Sequence, residues 1–590
     1  MPQDALNNRK TPSKSLKTKL NDAQIYDDFI ADSNGFVEVI VELENESVAQ
    51  MKIEDKSKQQ AQVTRVKKTQ ADFLQNLRKR VGSSEMMGQT QIVGNFVVLK
   101  LLKNKLPELF KSPEVRQVTP NEKAVFQSAS YGANGYTPLK SFDSAGLVPA
   151  EFDGEGVTIG IMDSGIDYTH AAFGGSGNVN DFSSNDPSVI EPGTFPTETI
   201  VGGFDFDDND PDPLDNISPG SGHGTAVASM VLKLAPKAQL YALRIESLAS
   251  MLAAIEFALD PNGDDDTSDH LDILNMSFDF PGQSGKSIGH PLNIAVENAS
   301  LENVLTVAAA GNDARQAFSV NPPASAPSVL TVGASFSMEV SSVNQNSGTH
   351  KIITSDETWP VEKIHWSGEP DSTVFGQLPI RGADYGSGDG CQPYSAGVAG
   401  KSVYIRQTNA CDELTIAANA DQADIGLLII EQSKSSFDYK HYTPLIAGSI
   451  ATPMYRVEPI FEAFSRNDQV LDVVAVDTIP TIMLTDFSNW GPTSDLLRIK
   501  PEVVARGSNV SAAAHGTGTQ FSGRSGTSFS SPYVAGLAAL VLQRCREVDS
   551  ADPYAPPLFY ILENCTAIDI KNRIVSNSIE NVFRVPGEPR

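Results

Sequence analysis

Asp163, His223 and Ser528 each stand in a setting suited to acyl transfer. That chemistry needs a hydroxyl nucleophile, an imidazole to take its proton and a buried carboxylate to fix the imidazole tautomer. Asp163 follows the apolar run "VTIGIM", and Ser164 and Gly165 allow a tight turn directly after it. His223 lies between two glycines in "SGHGTAVASM", at the start of an apolar helix, so its ring can project from a tight loop. Ser528 lies in "GTSFSSPYVAG", where Pro532 suits a helix first turn and the following apolar helix would be buried. A helix amino terminus beneath a serine offers positive partial charge to a nascent oxyanion. Taken singly each signal is weak. An Asp after a strand is more often a cap or turn former, a lone His at a helix start is more often structural, and Gly-Thr-Ser is common in turns.

The elements that must position these residues alternate. "VTIGIM", "QLYALRI", "LDILNMSF", "VLTVAAA" and "SVLTVGAS" read as strands, with helices over 226–235, 248–259 and 292–303. Alternation of this kind predicts an α/β fold, a parallel sheet covered by helices on both faces. Chemistry in such sheets sits at the carboxyl ends of strands, where Asp163 falls. Residues 1–34 read as a tail, and 35–127 as a small α+β unit with strands over 36–43 and 95–102. Residues 128–340 and 481–590 form the two parts of the large unit, interrupted by a β-rich insertion over 341–480 that includes "SVYIRQ" and "IGLLII".

Composition bounds what such a fold can do. The 590 residues carry 45 Lys and Arg against 73 Asp and Glu, a net charge of −28. That charge repels nucleic acid and anionic lipid, and no apolar stretch reaches the roughly 18 residues of a membrane span. The first 35 residues lack the continuous apolar core of a secretory signal. The even set of Cys391, Cys411, Cys545 and Cys565 has no CxxC pair, which leaves two disulfides or buried thiols.

With "VAAAGND" added, the four blocks "IGIMDSGID", "SGHGTAVAS", "VAAAGND" and "SGTSFSSPYVAG" resemble those of the subtilase family of serine endopeptidases. The order Asp, His, Ser is also that of subtilisin. The resemblance implies a subtilisin-like three-layer fold and an Asp163–His223–Ser528 triad. It implies an oxyanion hole made by the Asn312 amide and the Ser528 backbone N–H, and a cleft lined by Ser277, Phe278, Asp279, Ala309, Ala310 and Gly311. Protein or peptide substrates follow, with an extracellular location and no cofactor for the chemistry. Residues 35–127 resemble a subtilisin propeptide, an intramolecular chaperone and inhibitor cut between about Val125 and Gly135. The insertion looks like a protease-associated domain, which implies a Cys391–Cys411 disulfide and a role in docking or in restricting access.

Some positions depart from the family pattern. Ala226, Phe529 and Tyr533 replace residues common there without removing a catalytic group. Asp279 stands where the strand bordering the specificity pocket usually has Gly, and Arg506 where Pro is usual, so both bear on substrate preference. The stretch from about Ala567 onward lacks the glycine-containing closing segment that the resemblance implies. In "LDPNGDDDTSD", Asp260, Asn262, Asp264 and Asp266 offer oxygen ligands at alternating positions, as in the first part of a calcium loop. Asp265 stands where that loop needs Gly and no Glu closes it, so a solvated acidic loop is the competing reading. The run from Asp205 to Asp212 reads as solvated. A selective precursor-processing convertase would share this core, whereas an inactive binding protein would need a lost triad residue, and all three are present.

Overall fold

The computed structural model describes residues 28–126, 152–215, 222–280, 289–313, 318–341 and 498–548, shorter pieces between 350 and 494, and residues 565–576 and 582–583. In the N-terminal unit, strands β1 (Phe36–Leu43), β2 (Glu85–Thr90), β3 (Phe96–Leu102) and β4 (Val115–Pro120) pair antiparallel in the order β2-β3-β1-β4. The long helix α1 (Lys56–Val81) starts where the Asp55 side chain accepts from the Lys58 amide. Its apolar Phe73, Leu74 and Leu77 pack on Val39, Val41, Val97 and Leu99, giving this unit a core of its own.

The large sheet is built from β5 (Thr158–Asp163), β6 (Ile200–Asp205), β7 (Gln239–Arg244), β8 (Ile273–Met276), β9 (Leu305–Ala309) and β10 (Leu330–Ser341). These run parallel in the order β6-β7-β5-β8-β9-β10. The chain leaves β5, fills one side with β6 and β7, then returns to the other side of β5 for β8. This reversal makes β5 and β8 the switch point, the place where an open parallel sheet leaves a crevice at its carboxyl edge.

Helices cover both faces, as continuous burial along the strands requires. Ile159 and Ile161 of β5 face a core shared with α2 (His223–Val231) and α6 (Thr527–Val548), through residues such as Val227, Val231, Ala535 and Ala539. Met162, Leu243 and Met276 face the opposite core, shared with α3 (Leu248–Leu259) and α4 (Pro291–Leu301). Ile40, Ile92, Val93, Phe96 and Val98 of the N-terminal unit join that second core, so this unit sits on α3 and α4.

Beyond its first residues β10 pairs antiparallel with β18 (Thr478–Leu484), and it also takes β19 (Val503–Arg506) in parallel. Between β10 and β18 lies a separate seven-stranded sheet. Its parallel strands β14 (Ser402–Arg406) and β15 (Leu427–Glu431) are joined by α5 (Glu413–Gln422), whose Ile416, Ala417 and Ala420 pack on Val403, Ile405, Leu428 and Ile430.

Candidate active site

Asp163 is the last residue of β5 and is fully buried. Its Oδ1 accepts from the Ser164 amide at 2.8 Å and lies 2.7 Å from His223 Nδ1. His223 is the first residue of α2, and the two glycines beside it have separate causes. Gly222 is the N-cap with φ of 86°, a left-handed conformation that favours glycine. A Cβ on Gly224 would clash with the carbonyl of Gly165, in the turn after β5. The helix therefore starts against the end of β5, three residues earlier than its apolar pattern suggests.

A glycine N-cap has no side chain to satisfy the first amides of α2. Ser164 Oγ accepts from Gly224 N at 2.9 Å, and Asp215 Oδ2 accepts from Thr225 N at 3.0 Å and from its hydroxyl at 2.7 Å. Asp215 Oδ1 takes Gly222 N at 2.9 Å and Ser164 Oγ at 3.0 Å. Burial raises the Asp215 pKa to about 6 against the pull of these donors, and the Asp163 carboxylate adds to the rise. Asp215 thus fixes both loops that carry Asp163 and His223. Sequence reasoning misses it, because its eight-residue separation from His223 is outside any local capping pattern and it stands at the end of an acidic run, only three residues after Asp212.

Ser528 is the second residue of α6, so Pro532 stands in the second turn of that helix rather than the first. Proline has no N–H to give the carbonyl four residues back, which here belongs to Ser528. Ser277 Oγ fills the vacancy, donating to Ser528 O at 2.9 Å, and Ser528 Oγ donates to Ser277 O at 3.1 Å. Asn275, fully buried in β8, holds Ser277 Oγ at 2.9 Å and receives the Ser531 hydroxyl at 2.7 Å. That burial removes the N-x-S sequon at Asn275 from glycosylation. His223 Nε2 is buried without a hydrogen-bond partner, so the bond from Ser528 to His223 is open in this state. The Phe529 ring lies 5.6 Å from the His223 ring, which keeps the two residues in one pocket.

Asn312 lies three residues beyond β9. Its Oδ1 accepts from Thr527 N at 2.9 Å and Thr527 Oγ1 at 3.0 Å, which turns the donating Nδ2 end away from Thr527. Gly311 N donates to the same hydroxyl at 3.2 Å. Ala309 and Ala310 are buried at the end of β9, and Ser277, Phe278 and Asp279 continue the line of β8.

The Subtilase family profile matches residues 154–578. The chain belongs to the subtilase family. Its similarity to the minor extracellular protease Vpr of Bacillus subtilis is 23% identity over 582 residues, covering 90% of this chain and 64% of that one. The PII-type proteinase of Lacticaseibacillus paracasei is 24% identical over 461 residues, covering 67% of this chain and 23% of that one. This subtilase chain therefore spans less than two thirds of the length of either. A solved cold adapted subtilisin-like serine proteinase is similar with a TM-score of 0.34 at 18% identity, over 74% of this chain and 86% of that one.

In this subtilase the two acidic runs are both engaged. Asp205, Asp208 and Asp210 come within 4.8 Å of one another, but Arg244 pairs with Asp205 and with Asp208. In the other run, Asp260 accepts from the amides of Asp264 and Asp265, Asn262 accepts from Asp264, and Lys56 of α1 pairs with both Asp264 and Asp266. Lys67 pairs with Asp265 at 3.0 Å. Cys391 and Cys411 are disulfide-bonded with Cα atoms 5.7 Å apart, tying the loop before β14 to the start of α5. Cys545 of α6 is bonded to Cys565.

The segment after β4 runs into the cleft. Lys123 and Val125 make antiparallel bridges with Ser247 and Asp279, and Ala124 N donates to Glu246 O at 2.9 Å. The Phe126 ring lies 5.8 Å from His223 and 6.3 Å from Phe278.

Proposed function

We propose that this subtilase is a serine endopeptidase made as a precursor that cuts itself. The observation carrying this reading is the 2.7 Å bond from buried Asp163 to His223 Nδ1, with Ser528 on the adjoining helix terminus. Asp163 holds the tautomer in which Nε2 accepts. The Ser528 hydroxyl turns from Ser277 O to His223 Nε2, gives up its proton as Oγ attacks the scissile carbonyl, and Asp163 stabilises the resulting imidazolium. The Ser528 N–H and the Asn312 Nδ2 receive the oxyanion, the latter already oriented by Thr527. His223 then protonates the leaving amine, and water repeats the sequence on the acyl-enzyme.

The N-terminal unit acts as intramolecular inhibitor. Its last described residues pair as an added strand beside the catalytic His, which is how an extended peptide binds a sheet edge. The cut falls beyond Phe126, between about Val125 and Gly135, after which the cleaved strand stays as a product-like occupant. The inserted sheet serves as a protease-associated domain for docking or access. Secretion fits two disulfides and a relative named as extracellular. Among the described residues no helix is long and apolar enough to cross a membrane. Calcium at Asp260, Asn262, Asp264 and Asp266 does not fit while the N-terminal unit is docked, because the Lys56 ammonium already bridges Asp264 and Asp266.

The deciding experiment expresses the chain beside Ser528→Ala and sequences the amino terminus of the large fragment. A new terminus between about Val125 and Gly135 in the active chain alone supports the reading. The same cut in the variant, or an uncut active enzyme, refutes self-processing.

A further inference from the structure

The charge and chemistry beside the scissile bond can be read from Asp279, given the endopeptidase reading above. Asp279 stands opposite Val125, with Val125 N donating to Asp279 O at 3.0 Å and Asp279 N to Val125 O at 3.4 Å. Residues directly opposite in an antiparallel pair share a face, and so do residues two apart on one strand. A substrate side chain two residues beyond the position of Val125 therefore falls on the face that Asp279 occupies, within reach of a long side chain. That substrate residue follows the one packed on His223, which makes it the residue whose carbonyl Ser528 attacks.

The carboxylate of Asp279 is half used. Its Oδ1 accepts from Phe280 N at 2.7 Å. Its Oδ2 is buried with no hydrogen-bond partner, and a Cβ added to Gly311 would lie 2.5 Å from it. Gly311 precedes Asn312, so this oxygen lies between the strand that pairs with substrate and the segment that carries the oxyanion donor. Asp279 has no ion-pair partner among the described residues. Burial pushes its pKa up to about 7, a hydrogen bond from the Asn321 side chain to the carboxylate pulls it down, and the neighbouring Asp313 carboxylate adds to the rise. A buried acceptor without a donor is costly, and the cost is relieved when a ligand supplies the donor.

We infer that Asp279 makes this pocket select, at the residue preceding the scissile bond, a side chain ending in N–H donors, with Lys and Arg first, Gln next and apolar residues last. A cationic donor forms the stronger, charge-assisted bond. Leu or Phe would seal the oxygen from water and leave it unpaired. In the chain itself Phe126 is followed by Gln127, which lies outside the described residues and carries an amide donor.

The test compares the processed full-length enzyme with Asp279→Asn and Asp279→Gly on peptides that differ only in Lys, Arg, Gln, Leu or Phe before the cut. Wild type is expected to favour Lys over Leu in kcat/KM by roughly 30- to 100-fold, the size of one hydrogen bond to a charged group. Asp279→Asn is expected to cut that ratio at least about tenfold while keeping Gln turnover, and Asp279→Gly to shift preference toward Leu and Phe. Acylation by a fluorophosphonate reports whether each variant is folded and competent. Hydrolysis with Leu or Phe preferred by wild type, or with a ranking unmoved by Asp279→Asn, overturns the inference alone. No hydrolysis and no acylation of wild type overturns the peptidase reading and the inference together.

Discussion

The N-terminal unit touches the rest of the chain in two ways that differ in kind. On α3 and α4 the contact is written in side chains. Glu256 accepts the amides of Gln91, Ile92 and Val93 at 2.6, 2.8 and 2.7 Å, and Asn298 donates to Val93 O at 2.7 Å. Gln59 and Thr267 exchange two bonds at 3.0 Å, and Lys56 and Lys67 reach the acidic loop. In the cleft the contact is written mostly in backbone, from Lys123 to Phe126. Backbone pairing is available to any extended peptide, whereas the Glu256 cluster fits one partner. The first contact holds the unit by identity, and the second presents it as a substrate would be presented.

Breaking the cleft chemistry should have the largest effect. Ser528→Ala is expected to lower kcat by about 10⁶, the precedent for losing the nucleophile in subtilisin, and to leave the N-terminal unit attached. Turnover of peptides near the wild-type rate in the folded variant removes Ser528 from the mechanism. Asn312→Ala is expected to lower kcat by about 10²–10³ with KM little changed, because in the proposed mechanism the amide serves the oxyanion and not the bound substrate. An effect confined to KM assigns Asn312 to substrate binding.

Breaking the side-chain contact should leave the chemistry intact and weaken the inhibition proposed for the N-terminal unit. In Glu256→Ala three backbone amides lose their acceptor, and at about 1.5–3 kcal/mol for each bond release of the cleaved unit should speed up by roughly 10³-fold or more. The measurement is the lag before activity appears after processing, and an unchanged lag shows that the cleft strand alone sets release. Lys67→Ala should shorten the lag by no more than about threefold, and added salt should erase the difference, because its ion pair with Asp265 is exposed on both sides. A larger, salt-insensitive change would make the acidic loop the principal anchor.

Much of this was legible before any coordinates. The strands "VTIGIM", "QLYALRI" and "VLTVAAA" are apolar enough to be buried on both faces, and β5, β7 and β9 fall on them. The long charged stretch of the N-terminal unit became α1, but β2 and β4 were not read, since Glu85–Thr90 and Val115–Pro120 are partly exposed and weakly patterned. The acidic loop over 260–269 reads from sequence either as oxygen ligands or as a solvated loop, because composition cannot say what faces a carboxylate. Lys56 lies 208 residues from Asp264 in the chain and supplies the counter-charge.

By itself the sequence determined which residues could do chemistry and on which elements they would ride. Apolar periodicity places Asp163 at a strand end, and the spacing of glycines leaves His223 and Ser528 little local choice of backbone. Tertiary structure alone decided what fixes and occupies them. Asp215 caps α2 across a separation of ten residues, and Ser277 completes the carbonyl that Pro532 leaves open across 251. Val125 covers Asp279 only because the N-terminal unit is docked. Hydrogen bonds and charge pairs satisfy whatever group the fold brings near, so their partners follow from the assembled structure and leave no periodic trace in the chain.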